Sequence, residues 1–107
     1  ESLSLRKEND LDPMGAMQCT ATLGYLAAEA GDVAEAVRRY RDALELAEAA
    51  GALWAQATTH ESLIASYQSL GDPERARRHA EAAASLYRSF DRETDAARCE
   101  AKCLQKG

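Results

Sequence analysis

Aromatic residues are scarce in this 107-residue chain, at 6%, although hydrophobic residues make up 46% of it. Strands favour aromatic and β-branched side chains, so little is left to build a sheet, and the alanine that supplies much of the apolar content suits closely packed helices. Long apolar runs are also missing. None approaches the ~20 residues that cross a bilayer, and the N-terminus lacks the apolar centre of a signal peptide. Cysteine is limited to three residues, an odd number that fits a reducing compartment better than a disulfide framework. Positive charge is in deficit, with 13 Lys and Arg against 18 Asp and Glu and a net charge of -5. Nucleic-acid affinity comes largely from neutralising phosphates, and an anionic membrane attracts cations, so both partner classes are disfavoured. A cytoplasmic protein that binds neither nucleic acid nor membrane is expected.

What the chain does have is an internal repeat. The stretch 23–46, LGYLAAEAGDVAEAVRRYRDALEL, sets a pattern that returns after 40 residues. Leu23 recurs as Leu63 and Cys103, Gly31-Asp32 as Gly71-Asp72, Ala36 as Ala76, Ala43 as Ala83 and Leu46 as Leu86. A fixed period on this scale marks a solenoid, in which one helical hairpin cannot bury its apolar face alone and relies on stacked neighbours.

Within the unit, Leu23-Gly24, Gly31-Asp32, Ala36, Tyr40 and Ala43 resemble the tetratricopeptide (TPR) pattern, with Leu-Gly in the first helix and small, aromatic, small in the second. The second copy has Leu63, Tyr67, Gly71-Asp72, Ala76 and Ala83, but Ile64 replaces the glycine and Ala80 the aromatic, which is expected to weaken its inter-helix fit. The usual unit is about 34 residues, so each helix here is expected to be most of a turn longer. Such longer units look like those of kinesin light chains and of the sensor arms of large bacterial ATP-dependent transcription regulators. The resemblance implies an all-α, right-handed α-α superhelix: two full hairpins with a partial helix at each end.

Four segments follow. Residues 1–12 align with the end of a preceding second helix, Leu3 and Leu5 matching Leu44 and Leu46. The first repeat takes 13–51, with helices over Met14 to Ala30 and Val33 to Ala50, the second of them started by a capping-box-like Asp32 and Glu35. The second takes 52–91, with helices over Leu53 to Leu70 and Pro73 to Ser89, and Asp72-Pro73-Glu74 joins a cap, a preset dihedral and a favourable dipole charge. Gly31 and Gly51 supply left-handed residues that close helices, and Asp91 stands where the next such glycine would be. Residues 92–107 form the first helix of a third unit or a cap, spanning Arg92 to Gln105, with Cys103 and Leu104 resting on the preceding hairpin. The expected core contains Leu23, Leu26, Val37, Tyr40 and Leu44, then Trp54, Ala57, Leu63, Ile64, Tyr67, Ala76, Ala83, Leu86 and Phe90.

Nothing in the sequence has the form of an active site. No nucleophile elbow, Gly-rich phosphate loop or metalloprotease helix is present. His60 and His79 lie in different helices without a Cys or acidic partner at ligand spacing. Cys99 and Cys103 are one turn apart, but structural zinc takes four ligands and only two are local, so the thiols read as small buried apolar groups. Arg75, Arg77 and Arg78 with His79 read as a solvated face or a patch for an acidic surface. No enzyme activity, cofactor or metal is expected.

The resemblance implies a recognition surface on the concave side, lined by the first helix of each pair. The matching positions are Gln18, Ala21, Thr22, Tyr25 and Glu29, then Thr58, Glu61, Ser62, Ala65 and Ser69, then Arg98, Ala101 and Lys102. Chaperone-binding members clamp a terminal carboxylate with Lys and Asn. The matching places here hold Ala21, Tyr25, Glu61 and Ala65, so that clamp is missing and Tyr25 is the expected anchor. The expected function is a non-catalytic scaffold for a peptide or protein segment. The alternative is a structural segment of a bacterial regulator's sensor arm, self-associating as a homo-oligomer through exposed end helices.

Overall fold

The structure, a computed structural model, describes residues 13–104, with side chains from 15 to 102. Five α-helices follow one another: α1 (Pro13–Glu29), α2 (Val33–Ala50), α3 (Leu53–Ser69), α4 (Pro73–Ser89) and α5 (Glu93–Leu104). No strand occurs among the described residues. The helix limits lie within a residue of those read from the sequence wherever they can be compared. Gln105, the helical stub expected over 1–12 and the side chains of Cys103 and Leu104 lie outside the described residues.

The connections are two or three residues long, so consecutive helices must fold back on one another. Each helix packs chiefly on its neighbours in the chain, while α1 with α3 and α3 with α5 touch only lightly. The molecule measures 56 × 34 × 16 Å. A 17-residue helix is ~26 Å long, so the helices run across the middle dimension and succeed one another along the longest.

The turns share one chemistry. Gly31, Gly51, Gly71 and Asp91 all have positive φ, 89°, 69°, 77° and 65°, at 20-residue intervals. After each, the next amide reaches back to the preceding helix: Asp32 to the Ala27 carbonyl at 2.8 Å, Ala52 to Ala47 at 3.0 Å, Asp72 to Tyr67 at 2.9 Å and Arg92 to Tyr87 at 2.8 Å. These bonds satisfy carbonyls that the helix end leaves open. Asp91 is the one non-glycine in this geometry, and an L side chain adopts it less readily. Helix starts are equally regular, since Asp32 accepts from the Glu35 amide and Asp72 from the Arg75 amide, each at 3.2 Å. The expected capping box is only half formed. Asp32 makes its bond, but the Glu35 carboxylate pairs with Arg38 and Arg39 instead of reaching back.

One core cluster contains Val37, Tyr40, Ala57, Leu63, Ile64, Tyr67, Ala76, Ala83, Tyr87 and Cys99, with Leu44, Leu86 and Phe90 half-buried against it. Gly24 is small because the Tyr40 ring occupies its space: a Cβ there would lie 3.0 Å from Tyr40 Cε1. In the second hairpin the equivalent positions hold Ile64 and Ala80, both buried. The two departures from the motif therefore offset each other. Volume has moved from the second helix to the first, and the expected weakening is not found.

Three expected core residues are not buried. Leu23 is 45% exposed, Leu26 55% and Trp54 49%, whereas Leu63, the register partner of Leu23, is at 0%. Cys19 is likewise exposed, and its partners Thr59 and Cys99 are buried. The residues agree in type but not in neighbours. α3 is packed by α2 and α5 by α4, while among the described residues no helix precedes α1 to cover the same face. Trp54 lies over the core instead of in it, edge-on to Tyr87 with ring centroids 5.4 Å apart and with the Arg92 guanidinium 5.3 Å from its own ring.

Candidate protein-binding face

The residues expected to line a groove fall on α1, α3 and α5. At 3.6 residues per turn, Gln18, Thr22, Tyr25 and Glu29 form one stripe along α1. All four are exposed, Tyr25 at 57%. Ala21 turns inward and packs on the core. On α3, Ala65 and Ser69 are exposed, and Thr58, Glu61 and Ser62 are half-buried. On α5, Arg98 and Ala101 are exposed and Lys102 is half-buried.

The hydroxyls on α3 are already engaged with their own helix. Thr58 Oγ1 donates to the Ala55 carbonyl at 3.1 Å, and Ser62 Oγ to the Thr58 carbonyl at 3.3 Å. Such back-bonding leaves little donor capacity for a ligand. What remains of α3 toward solvent is the Ala65 methyl, Ser69 and the edge of Glu61.

Glu61 and Arg98 are brought together from 37 residues apart. Arg98 Nε and Nη2 donate to the two Glu61 oxygens at 2.7 and 2.9 Å, a two-pronged pair whose planar geometry suits a carboxylate. Glu61 also accepts from the buried Tyr87 hydroxyl at 3.0 Å. Asp95 contacts Arg98 and is bonded by Arg92 Nε at 2.9 Å. The Arg98 guanidinium holds the carboxyls of Glu61 and Asp95 below the usual carboxylate range. Burial, reinforced by the Glu61 carboxylate, raises the Tyr87 phenol and keeps it a neutral donor. Burial likewise raises the Cys99 thiol to about 11, leaving it protonated and poorly nucleophilic at neutral pH.

This network fastens α5 to α3 and α4. Gln68 Nε2 donates to the Lys102 carbonyl at 2.8 Å, and Arg88 on α4 grips Glu93 and Glu100 on α5. Glu61 and Arg98 are therefore partners of each other more than free recognition groups. Asp95, expected on a solvated face, is buried inside the same network. Tyr87 and Arg92 were not legible as members, because their side chains meet Glu61 and Asp95 only through the packing of α4 and α5. The one local signal was the i, i+3 spacing of Arg92, Asp95 and Arg98 on a helix.

Chemically, the α1–α3–α5 side offers one large amphipathic anchor, Tyr25, flanked by amide, hydroxyl and carboxylate groups on Gln18, Thr22 and Glu29. A neutralised ion pair lies beyond it. No cluster of three or more His, Cys, Asp or Glu able to hold a metal occurs among the described residues. No helix among them is long and apolar enough to cross a membrane. No family model, curated protein or solved structure matches the chain.

Proposed function

We propose that the chain is a TPR-like scaffold whose α1, α3 and α5 side receives a peptide or protein segment without chemistry, in a cytoplasmic protein. The observation carrying this reading is the exposed α1 stripe with Tyr25 at its centre, because Tyr buries a large area on binding at low conformational cost. The helix pairs, their 40-residue register and the elongated outline support a right-handed superhelix of TPR units. A rigid stack of that kind loses little freedom on binding. The test is selection of binding peptides from a random library, followed by affinity measurement on variants. Tyr25→Ala and Glu29→Lys should weaken the selected peptides about tenfold or more, equivalent to ~1.4 kcal/mol, and Arg77→Glu on α4 should not. Selected peptides indifferent to both α1 substitutions would refute the groove.

A second reading rests on the apolar face of α1. Leu23 and Leu26 are exposed where their register partners Leu63 and Ser66 are buried. This favours a structural segment of a longer sensor arm of a bacterial ATP-dependent transcription regulator, stacked on another hairpin or on a second copy of itself. Sedimentation of the chain and of Leu23→Glu/Leu26→Glu distinguishes them: self-association lost in the variant supports the second reading, and a monomer at all concentrations counts against self-stacking.

A further inference from the structure

On the opposite side of α3 from the Glu61 stripe, α2, α3 and α4 enclose a cleft of about 560 Å3. It is lined by Arg41, Leu44 and Glu45 of α2, His60 and Tyr67 of α3, and Arg75, Arg78, His79 and Ala82 of α4. Three guanidiniums thus face one carboxylate, in a chain whose net charge is -5. We infer that this cleft is a binding site for a small phosphorylated molecule, its phosphate held by Arg41, Arg75 and Arg78 above the His60–His79 pair.

The basic groups are arranged before any ligand arrives. The Arg75 guanidinium lies 5.9 Å from the centre of the Tyr67 ring, the Tyr67 ring is stacked on His79 at 6° with centroids 5.3 Å apart, and His79 Nδ1 is 2.9 Å from His60 Nδ1. Arg75 is steadied by Asp72 at 2.9 Å and Arg78 by Glu74 at 3.5 Å. Neither carboxylate lines the cleft, and an arginine carries five N–H donors, so both guanidiniums keep donors for a further acceptor. Arg41 makes no hydrogen bond or ion pair among the described residues.

The histidines add a constraint on what can enter. Two Nδ1 atoms at hydrogen-bond distance require one to donate and the other to accept, so the pair holds opposite tautomers when neutral. Burial lowers both, and the Arg41 charge contributes to holding His79 near 4. The pair therefore presents a polar but uncharged floor at neutral pH, and the positive charge comes from the arginines. An arginine fork matches phosphate geometry and forms charge-assisted bonds. The volume falls within the roughly 300–1,000 Å3 of small-molecule sites, which leaves room beside the half-buried Leu44 for an organic body attached to the phosphate.

Because the chain has two histidines, their imidazole resonances report on the cleft without ambiguity. The experiment titrates the whole chain with inorganic phosphate, a sugar phosphate and a nucleoside monophosphate at constant ionic strength, with chloride as control. Saturable movement of both imidazoles is expected, with Kd on the order of 1 mM or tighter for an organic phosphate and weaker for inorganic phosphate. Arg41→Ala and Arg78→Ala should each raise Kd about tenfold, while Arg77→Ala, outside the cleft, should leave it unchanged. Saturation by inorganic phosphate alone would assign the phosphate grip but overturn the organic ligand. Non-saturable shifts, equal shifts with chloride, equal loss in Arg77→Ala, or response to an acidic peptide but to no phosphate would overturn the site.

Discussion

Exchanging the side chains at positions 24 and 40 for those at 64 and 80 tests the repeat register with a sign that ordinary substitutions lack. Gly24→Ile places a branched side chain where a Cβ alone would lie 3.0, 3.1 and 3.2 Å from Tyr40 Cε1, Cδ1 and Cζ. The ring is 6% exposed and cannot swing out. Overpacking of this kind costs ~1–3 kcal/mol, against a gain of about 0.5 kcal/mol from removing a helix-interior glycine. Tyr40→Ala alone empties the same space, and loss of a buried aromatic costs ~3–5 kcal/mol. In the double variant the isoleucine fills the space that the ring vacates, as Ile64 and Ala80 do in the second hairpin. Its destabilisation should fall short of the sum of the singles by ~2 kcal/mol. Urea unfolding followed by helical circular dichroism reads this directly, and the double variant should have a higher midpoint than Tyr40→Ala. Additivity within about 0.5 kcal/mol, or a double variant less stable than Tyr40→Ala, would refute the equivalence of the two pairs.

Acid should weaken the fold through the histidine pair. The folded chain holds His79 near 4, against 6.5 for a free imidazole, so the unfolded chain binds protons first as the pH falls. The contribution is complete above about 6.5 and is lost on the way down to about 4. At 1.36 kcal/mol per pKa unit the ceiling is ~3 kcal/mol, and for a half-buried side chain solvent screening leaves about 1–2 kcal/mol. Stability measured from pH 7 to 4.5 should therefore fall more steeply in the native chain than in His79→Gln, and equal slopes would contradict the assignment. Asp91→Gly should stabilise the chain by ~0.5–1 kcal/mol, because it relieves a positive φ that the other three turns give to glycine. A thermal midpoint that falls would show that the Asp91 side chain contributes something its geometry does not reveal.

The all-α class and the helix limits were legible because their determinants are local. Asp32, Asp72 and Pro73 announce starts, Gly31, Gly51 and Gly71 announce ends, and period-40 identities set the pairing. Burial was legible only where both repeats supply the same neighbours. Leu23 and Leu63 share a residue type and a register position, yet one is exposed and the other fully buried, since a helix's pattern does not state which of its faces another helix will cover. The second hairpin's Ile64 and Ala80 looked like two defects when read singly and become one compensated pair when the helices are opposed. Of the candidate face, the α1 stripe with Tyr25 could be placed from spacing alone. That Glu61 would be occupied by Arg98 and Tyr87 could not, because the three residues lie on three helices. The histidines were separated for the same reason: 19 residues apart in sequence, they meet only when α3 packs on α4.

The most direct measurement is a nuclear Overhauser spectrum of the labelled chain, read at two places 40 residues apart. Cross-peaks from the Gly24 α-protons to the Tyr40 ring, matched by cross-peaks between the Ile64 and Ala80 methyl groups, are predicted. If the first pair is seen and the second is missing, with Ile64 reporting other neighbours, the two hairpins do not share a register and the account of the fold is wrong.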